Sequence, residues 1–313
     1  MLFSCKKDPP IYPEPAIDPV VIVEPPDIPD PDSFPGTYLL FDADMDFNSL
    51  KTSAVAYTSI YYSRLNGSQI TRITNPPAPY NDYRASISPD GKKVIFTRYK
   101  KDKTDSFICT VNLDGSDLKP IVKIAGADCA SFSPDGTQIV YARPSKPNAG
   151  HDIYIANADG SEEKRLTTFG NYPGGDCDIP RWSVDGKIYF NTFVTSELNA
   201  FFSVTPDSAE LNVITSSIIR FLAVSPDGKL ALSGHDFNLF ISNMDGTEIK
   251  SLTNYTGNIP YPFTGAGFTI DQKQVYIASY NKSSDQLGIY RVGIDGKNLK
   301  LVKFGYYEYP SVF

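Results

Sequence analysis

Chemistry in this chain would fall mainly to carboxylates and a few cations, because it has only two histidines and four cysteines. Asp176 and Asp178 stand two apart, which in an extended strand puts both side chains on one face. Such a pair suits acid–base work on a glycosidic bond, with one carboxyl protonated and the other ionised. His151 and His235 are each followed by Asp, and two histidines are too few for a histidine-rich metal site. Asp42-Ala-Asp44-Met-Asp46-Phe-Asn48 places oxygen donors at positions 1, 3, 5 and 7 of a calcium loop, but Phe47 and Ser53 stand where that loop needs Gly and Glu. No nucleophile elbow or Ser/His/Asp pattern is apparent. The sequence therefore calls for no cofactor and no metal, and singles out no catalytic residue.

What must position these groups is a repeat. Ser131-Phe132-Ser133-Pro134-Asp135-Gly136-Thr137-Gln138-Ile139-Val140-Tyr141 has near-copies starting at Ser86, Arg181, Ala223 and Gly267. About twenty residues after each copy, a strand ends in Asp-Gly and a further strand follows, as in Ile153–Thr167 and Leu239–Thr253. The period of about 40–50 residues is that of propeller blades. Ser-Pro-Asp-Gly fits a type I turn closed by a left-handed glycine, a tight hairpin connection. Copies on different blades cannot converge on one substrate, so the turn reads as a corner and not as a site. Val184 replaces the proline in one copy, and Ile270 and Gln272 replace proline and glycine in another; both read as drift.

Six second halves but five first halves are present. Pro310-Ser311-Val312-Phe313 aligns with Ala85-Ser86-Ile87-Ser88, so the last strand is expected to complete the first blade. The repeated hairpins resemble the TolB-type, WD-repeat-like six-bladed β-propellers of bacterial envelopes, over residues 37–313. The resemblance implies an all-β fold of six four-stranded antiparallel blades, closed by the C-terminal strand. It implies location in a Gram-negative-type envelope, periplasmic or on the outer-membrane surface. Oligogalacturonate lyases also resemble this repeat, but they hold a metal with several histidines, which this chain lacks.

Strand parity separates two faces. If strands A to D make a blade, Ser-Pro-Asp-Gly joins A to B, Asp-Gly joins C to D, and both turns fall on one face. The longer B–C and D–A connections fall on the other, where ligands are usually read. Function is therefore expected on the loop face. Aligning the repeats puts Tyr83, Asp128, Asp178, Arg220, Thr264 and Glu308 at one position before strand A, around the channel mouth. That ring suits a cation, a basic peptide end or a sugar, or is a solvated rim with a salt bridge. Tyr80, Tyr83, Tyr261, Phe263, Tyr306, Tyr307 and Tyr309 either form an aromatic platform or pack between blades. Arg181 stands where other repeats have Ser86, Ser131, Ala223, Gly267 and Ser311, so it either pairs with Asp176 or Asp178 or meets a ligand. Trp182, at the place of Ile87 and Phe132, reads as core. Cys129 and Cys177, near the starts of A strands on adjacent blades, either bridge in an oxidising compartment or stay free.

Residues 1–36 differ in kind. They hold ten of the 25 prolines and a charge of −5 out of the total −7, leaving −2 for the remainder. Leu2-Phe3-Ser4-Cys5 resembles a lipoprotein lipobox, with Cys5 as the acylated residue, although the usual leader is missing before it. The segment after it is an extended, polyproline-like linker. No basic stripe is present to meet nucleic acid. The expected protein is a monomeric, membrane-anchored propeller that contacts a protein, peptide or glycan. The alternative is a carbohydrate lyase or hydrolase using carboxylates at the channel mouth, and a purely structural envelope component is a third possibility.

Overall fold

The computed structural model describes residues 38–44, 57–100, 105–172, 174–195, 198–215, 220–235, 238–254, 265–281, 286–304 and 307–312. Cys5, the linker before residue 38, Asp46, Asn48, Tyr261, Phe263, Thr264 and Tyr306 lie outside them.

Strands dominate because the sequence alternates β-branched and aromatic residues with turn residues at short intervals. They form six sheets of four antiparallel strands. The A strands are Tyr80–Ile87 in blade 2, Asp128–Phe132 in blade 3, Asp176–Trp182 in blade 4, Arg220–Val224 in blade 5 and Ala266–Phe268 in blade 6. Blade 1 takes its A strand, Tyr307–Val312, from the end of the chain. That strand pairs antiparallel with Tyr38–Asp44, matching Leu39 to Val312 and Leu40 to Ser311. The circle is closed as the repeat count requires, and the Tyr38–Asp44 edge of blade 1 is covered.

Neighbouring side chains on a strand point to opposite faces, and in a propeller both faces are covered by the next blade. Val94 and Phe96 pack with Leu40 and Ile60 toward blade 1, whereas Ile95 packs with Phe132 and Tyr141 toward blade 3. Similar apolar layers join blades 3 and 4, 4 and 5, 5 and 6, and 6 and 1. Polar latches add direction. Thr74, Thr167 and Thr253 accept the amides of Ile60, Ile153 and Leu239 at 3.0, 2.9 and 2.9 Å.

The Ser-Pro-Asp-Gly turns are the corners expected of them. In Ser133–Gly136 the glycine amide donates to the Ser133 carbonyl at 2.9 Å, and the Ser133 hydroxyl donates to Asp135 at 2.6 Å. Gly136 sits at φ 72°, the left-handed region that favours glycine. The Asp135 carboxyl lies below its ordinary pKa because the Ser133 hydroxyl and the Thr137 amide and hydroxyl donate to it. The calcium-loop motif is not a loop at its start. The blade 1 strand runs through Asp44, and Asp42 is a fully buried strand residue opposite Ile60 and Glu308.

Candidate functional site

The A strands line the channel, and those of blades 2, 3 and 4 carry an irregularity at the same level. Arg84, Cys129 and Ile179 adopt φ of 57°, 56° and 52°. The register shifts there, between Tyr83 and Ser86, Asp128 and Ser131, and Asp178 and Arg181. Tyr83, Asp128 and Asp178 thus occupy equivalent positions, each one residue before a left-handed bulge that turns the next side chain out of its normal alternation.

The outcome is an ion-pair layer across the channel. Arg84 Nη1 donates to Asp128 Oδ2 at 2.7 Å and to Asp178 Oδ1 at 3.1 Å, and Arg220 Nη2 donates to Asp178 Oδ2 at 3.0 Å. The Cys129 thiol donates to Asp178 Oδ1 at 3.0 Å, and Arg84 also contacts that sulfur. Thr97 Oγ1 donates to Asp128 at 2.9 Å. Four blades therefore share two arginines and two aspartates, a set with no net charge. Burial by itself raises the Asp178 carboxyl, but Arg84, the Cys129 thiol and Arg220 bring it below its ordinary value.

Asp128, Asp178 and Arg220 are brought together as the repeat alignment placed them. Tyr83 turns aside: its ring stacks on Tyr99 at 4.9 Å and its hydroxyl accepts from Thr58 at 2.8 Å, bridging blades 1 and 2. Arg84 completes the layer and was not singled out from the sequence. Its signal was its place directly after the ring position, which matters only if a bulge redirects it. Glu308 is at the matching height in blade 1, paired through its backbone with Asp42, and the side chains of Tyr307, Glu308 and Tyr309 lie outside the described residues. Tyr80 is half-buried, its hydroxyl donating to Asp105 at 3.1 Å and its ring beside Phe107.

Asp176 does not act with Asp178. It accepts from the His151 backbone amide and sits against His151 Nδ1, both at 2.7 Å, while His151 Nε2 lies 2.8 Å from the Gly126 carbonyl. Burial opposes a charge on His151, yet the bond to Asp176 outweighs it and the imidazole pKa is raised. Cys129 and Cys177 are free, buried thiols and not a disulfide; Cys109, in a C strand, is likewise free and buried. Burial pushes the thiols of Cys129 and Cys177 well above their ordinary values. Among the described residues no cluster of His, Cys, Asp and Glu has the arrangement of a metal site, and no helix is long and apolar enough to cross a membrane.

The other end of the channel is open. A cavity of about 530 Å³ lies among the ends of the A strands and the Ser-Pro-Asp-Gly turns, lined in part by Ser86, Ile179, Arg181, Trp182, Pro226 and Ser311. The turn face, set aside on sequence grounds as bland, thus carries a formed cavity. Arg181 belongs to it, donating one N–H to the Pro180 carbonyl at 3.0 Å. Tyr38, where the linker joins the propeller, lines the same cavity.

A six-bladed β-propeller with a TolB-like fold is the class of protein these features define. The chain is similar to TolB from Acinetobacter baumannii, at a TM-score of 0.71 and 17% identity, covering 88% of this chain and 66% of that one. It therefore spans slightly less than two thirds of that TolB. It is similar to a putative TolB from Agrobacterium tumefaciens, at a TM-score of 0.62 and 13% identity, covering 88% and 98%. An oligogalacturonate lyase in complex with manganese is similar at a TM-score of 0.57 and 15% identity, covering 75% and 71%. No family model and no curated protein sequence matches the chain. At these identities the likeness establishes the fold, and a fold hosts many activities.

Proposed function

We propose that this chain is an envelope propeller that binds a protein, peptide or glycan partner through its loop face, tethered to the membrane by residues 1–36 and an acylated Cys5. The observation that carries the reading is the state of the channel carboxylates. Asp128 and Asp178 are neutralised by Arg84 and Arg220, and Asp176 is taken by His151. A hydrolase needs a carboxyl held protonated near neutral pH, and a lyase needs a base free to take a proton, which a carboxylate tied in ion pairs is not. Asp178 is shifted the other way. A charge-balanced mouth beside Tyr80, with Tyr307 and Glu308 on the neighbouring blade, suits recognition better than proton transfer. The linker reaches the propeller on the turn face, at Tyr38, so the loop face points away from the tether.

A ligand that binds only the folded chain raises its melting temperature. The full chain, with Cys5 replaced by Ser, is to be melted with oligogalacturonate, oligolysine and calcium chloride in turn. The recognition reading expects a rise with the sugar or the peptide that is lost in Arg220→Ala. Cleavage of the oligogalacturonate would favour the enzyme reading instead.

A further inference from the structure

The cavity on the turn face concentrates the places where the repeat is broken. Arg181 stands where the other blades have Ser86, Ser131, Ala223, Gly267 and Ser311. Val184 and Ile270 stand where other turns have proline, and both line the cavity with exposed apolar side chains, 58% and 45% accessible. Large exposed apolar side chains at a cavity mouth are costly in water and useful to a ligand. Three departures meeting in one cavity are better explained by that cavity than by drift.

The blade 4 turn supplies a further sign. In blades 2, 3 and 5 the turn serine donates to the aspartate two residues on, at 2.5, 2.6 and 2.7 Å. Blade 4 has a turn one residue shorter, with the Ser183 amide donating to the Lys187 carbonyl, whereas the Ser133 amide reaches Gln138. Asp185 there accepts from the Tyr189 hydroxyl at 2.7 Å. Ser183 is left 2% exposed, lining the cavity, with its buried hydroxyl making no hydrogen bond in the described structure. A buried hydroxyl without a partner costs stability and so points to something that satisfies it.

Charge selects the ligand. Among the described lining residues Arg181 is the one cationic side chain, and Asp90, the one acidic side chain, is tied at the rim by the Ser88 hydroxyl and the Lys92 amide. We infer that the cavity binds an apolar chain ending in a carboxylate. Arg181 and the Ser183 hydroxyl meet the charged end, as guanidinium and hydroxyl donors suit a carboxylate. Trp182, Val184 and Ile270 receive the apolar part, and the volume falls within the range of small-ligand sites. The site lies at the turn-face ends of the A strands, on the far side of the Arg84–Asp128–Asp178–Arg220 layer from the loops, so it is additional to the recognition surface proposed above.

Trp182 is the only tryptophan in the chain, so its fluorescence reports this cavity directly. The full chain with Cys5→Ser is to be titrated with dodecanoate and, separately, with a free-acid Leu-Val-Phe tripeptide, each against its uncharged ester or amide. The expected result is a saturable change with at least one free acid, at least tenfold weaker binding for its neutral form, and a similar loss in Arg181→Met. Response to dodecanoate alone identifies a lipid-like source, response to the tripeptide alone identifies a protein C-terminus, and response to both defines the shared chemistry. Val184→Asp, a change at an exposed position, is expected to weaken binding with the fold intact. The inference is overturned if neither acid gives a saturable change, or if folded Arg181→Met and Val184→Asp bind as well as the parent.

Discussion

Arg84 on blade 2 reaches Asp178 on blade 4 at 3.1 Å, passing over blade 3. A contact between blades that are not neighbours has to cross the channel, so this pair braces the ring along a chord. The Arg84 side chain is 22% exposed and that of Asp178 18%. Removing the cation would leave a largely buried carboxylate with only Arg220 to balance it. Arg84→Ala is expected to destabilise the fold by about 2 kcal/mol, below the cost of breaking a fully buried pair. Arg84→Gly loses the same ion pair but relieves the left-handed backbone at φ 57°, and should be about 1 kcal/mol less harmful than the alanine. Urea unfolding of the three chains measures both differences.

Two groups give the stability a pH dependence of opposite sign. The pKa of Asp178 is lower folded than unfolded, so its contribution is present above the unfolded value and is lost as pH falls through the folded one. The pKa of His151 is higher folded than unfolded, so its contribution is full below the unfolded value and is lost as pH rises through the folded one. Melting temperature should therefore fall on the acid side and also decline above about pH 6.5, where free histidine loses its proton. His151→Gln should remove the second decline and leave the first, as melting curves at stepped pH would show.

The cysteines yield a direct count. In the folded chain with Cys5→Ser, the buried thiols of Cys109, Cys129 and Cys177 should not react with a thiol reagent. Unfolding in urea without reductant should release three. A single reactive thiol would mean that Cys129 and Cys177 are joined.

Deleting residues 307–313 removes the inner strand of blade 1 and bares the Leu39–Ala43 edge that pairs with it. The truncated chain should associate or aggregate, visible by size-exclusion chromatography. A synthetic peptide of residues 307–313 should restore the elution volume of the parent chain by adding back as a strand.

The blade count, the closing strand and the turn chemistry were legible because each is written several times, and copies that agree constrain one another. The ring position was legible for the same reason, and the structure joins Asp128, Asp178 and Arg220 of that position in one ion-pair layer. Arg84 and Tyr83 were not, because the bulge after each ring position turns one side chain in and the other aside, and sequence alternation carries no mark of that. The pairing of Asp176 with His151 joins positions in adjacent blades that the repeat does not place opposite each other. The turn-face cavity was hidden differently. Arg181, Val184 and Ile270 were visible as departures, but only the geometry shows that they border one space.

The shared first blade also orders events in time. Among the propeller's strands its outer ones, from Tyr38 to Arg72, leave the ribosome first, and its inner one, Tyr307–Val312, leaves last. Each of the other blades is complete once its own stretch has emerged, and synthesis proceeds at about 5–20 residues per second. Blade 1 thus waits with one edge unpaired while the other five blades are made, and the ring closes only when Tyr307–Val312 is free. Until then the nascent chain carries a strand edge able to accept a foreign strand, so a chaperone that protects this fold during synthesis would act on the blade begun first and not on the one made most recently.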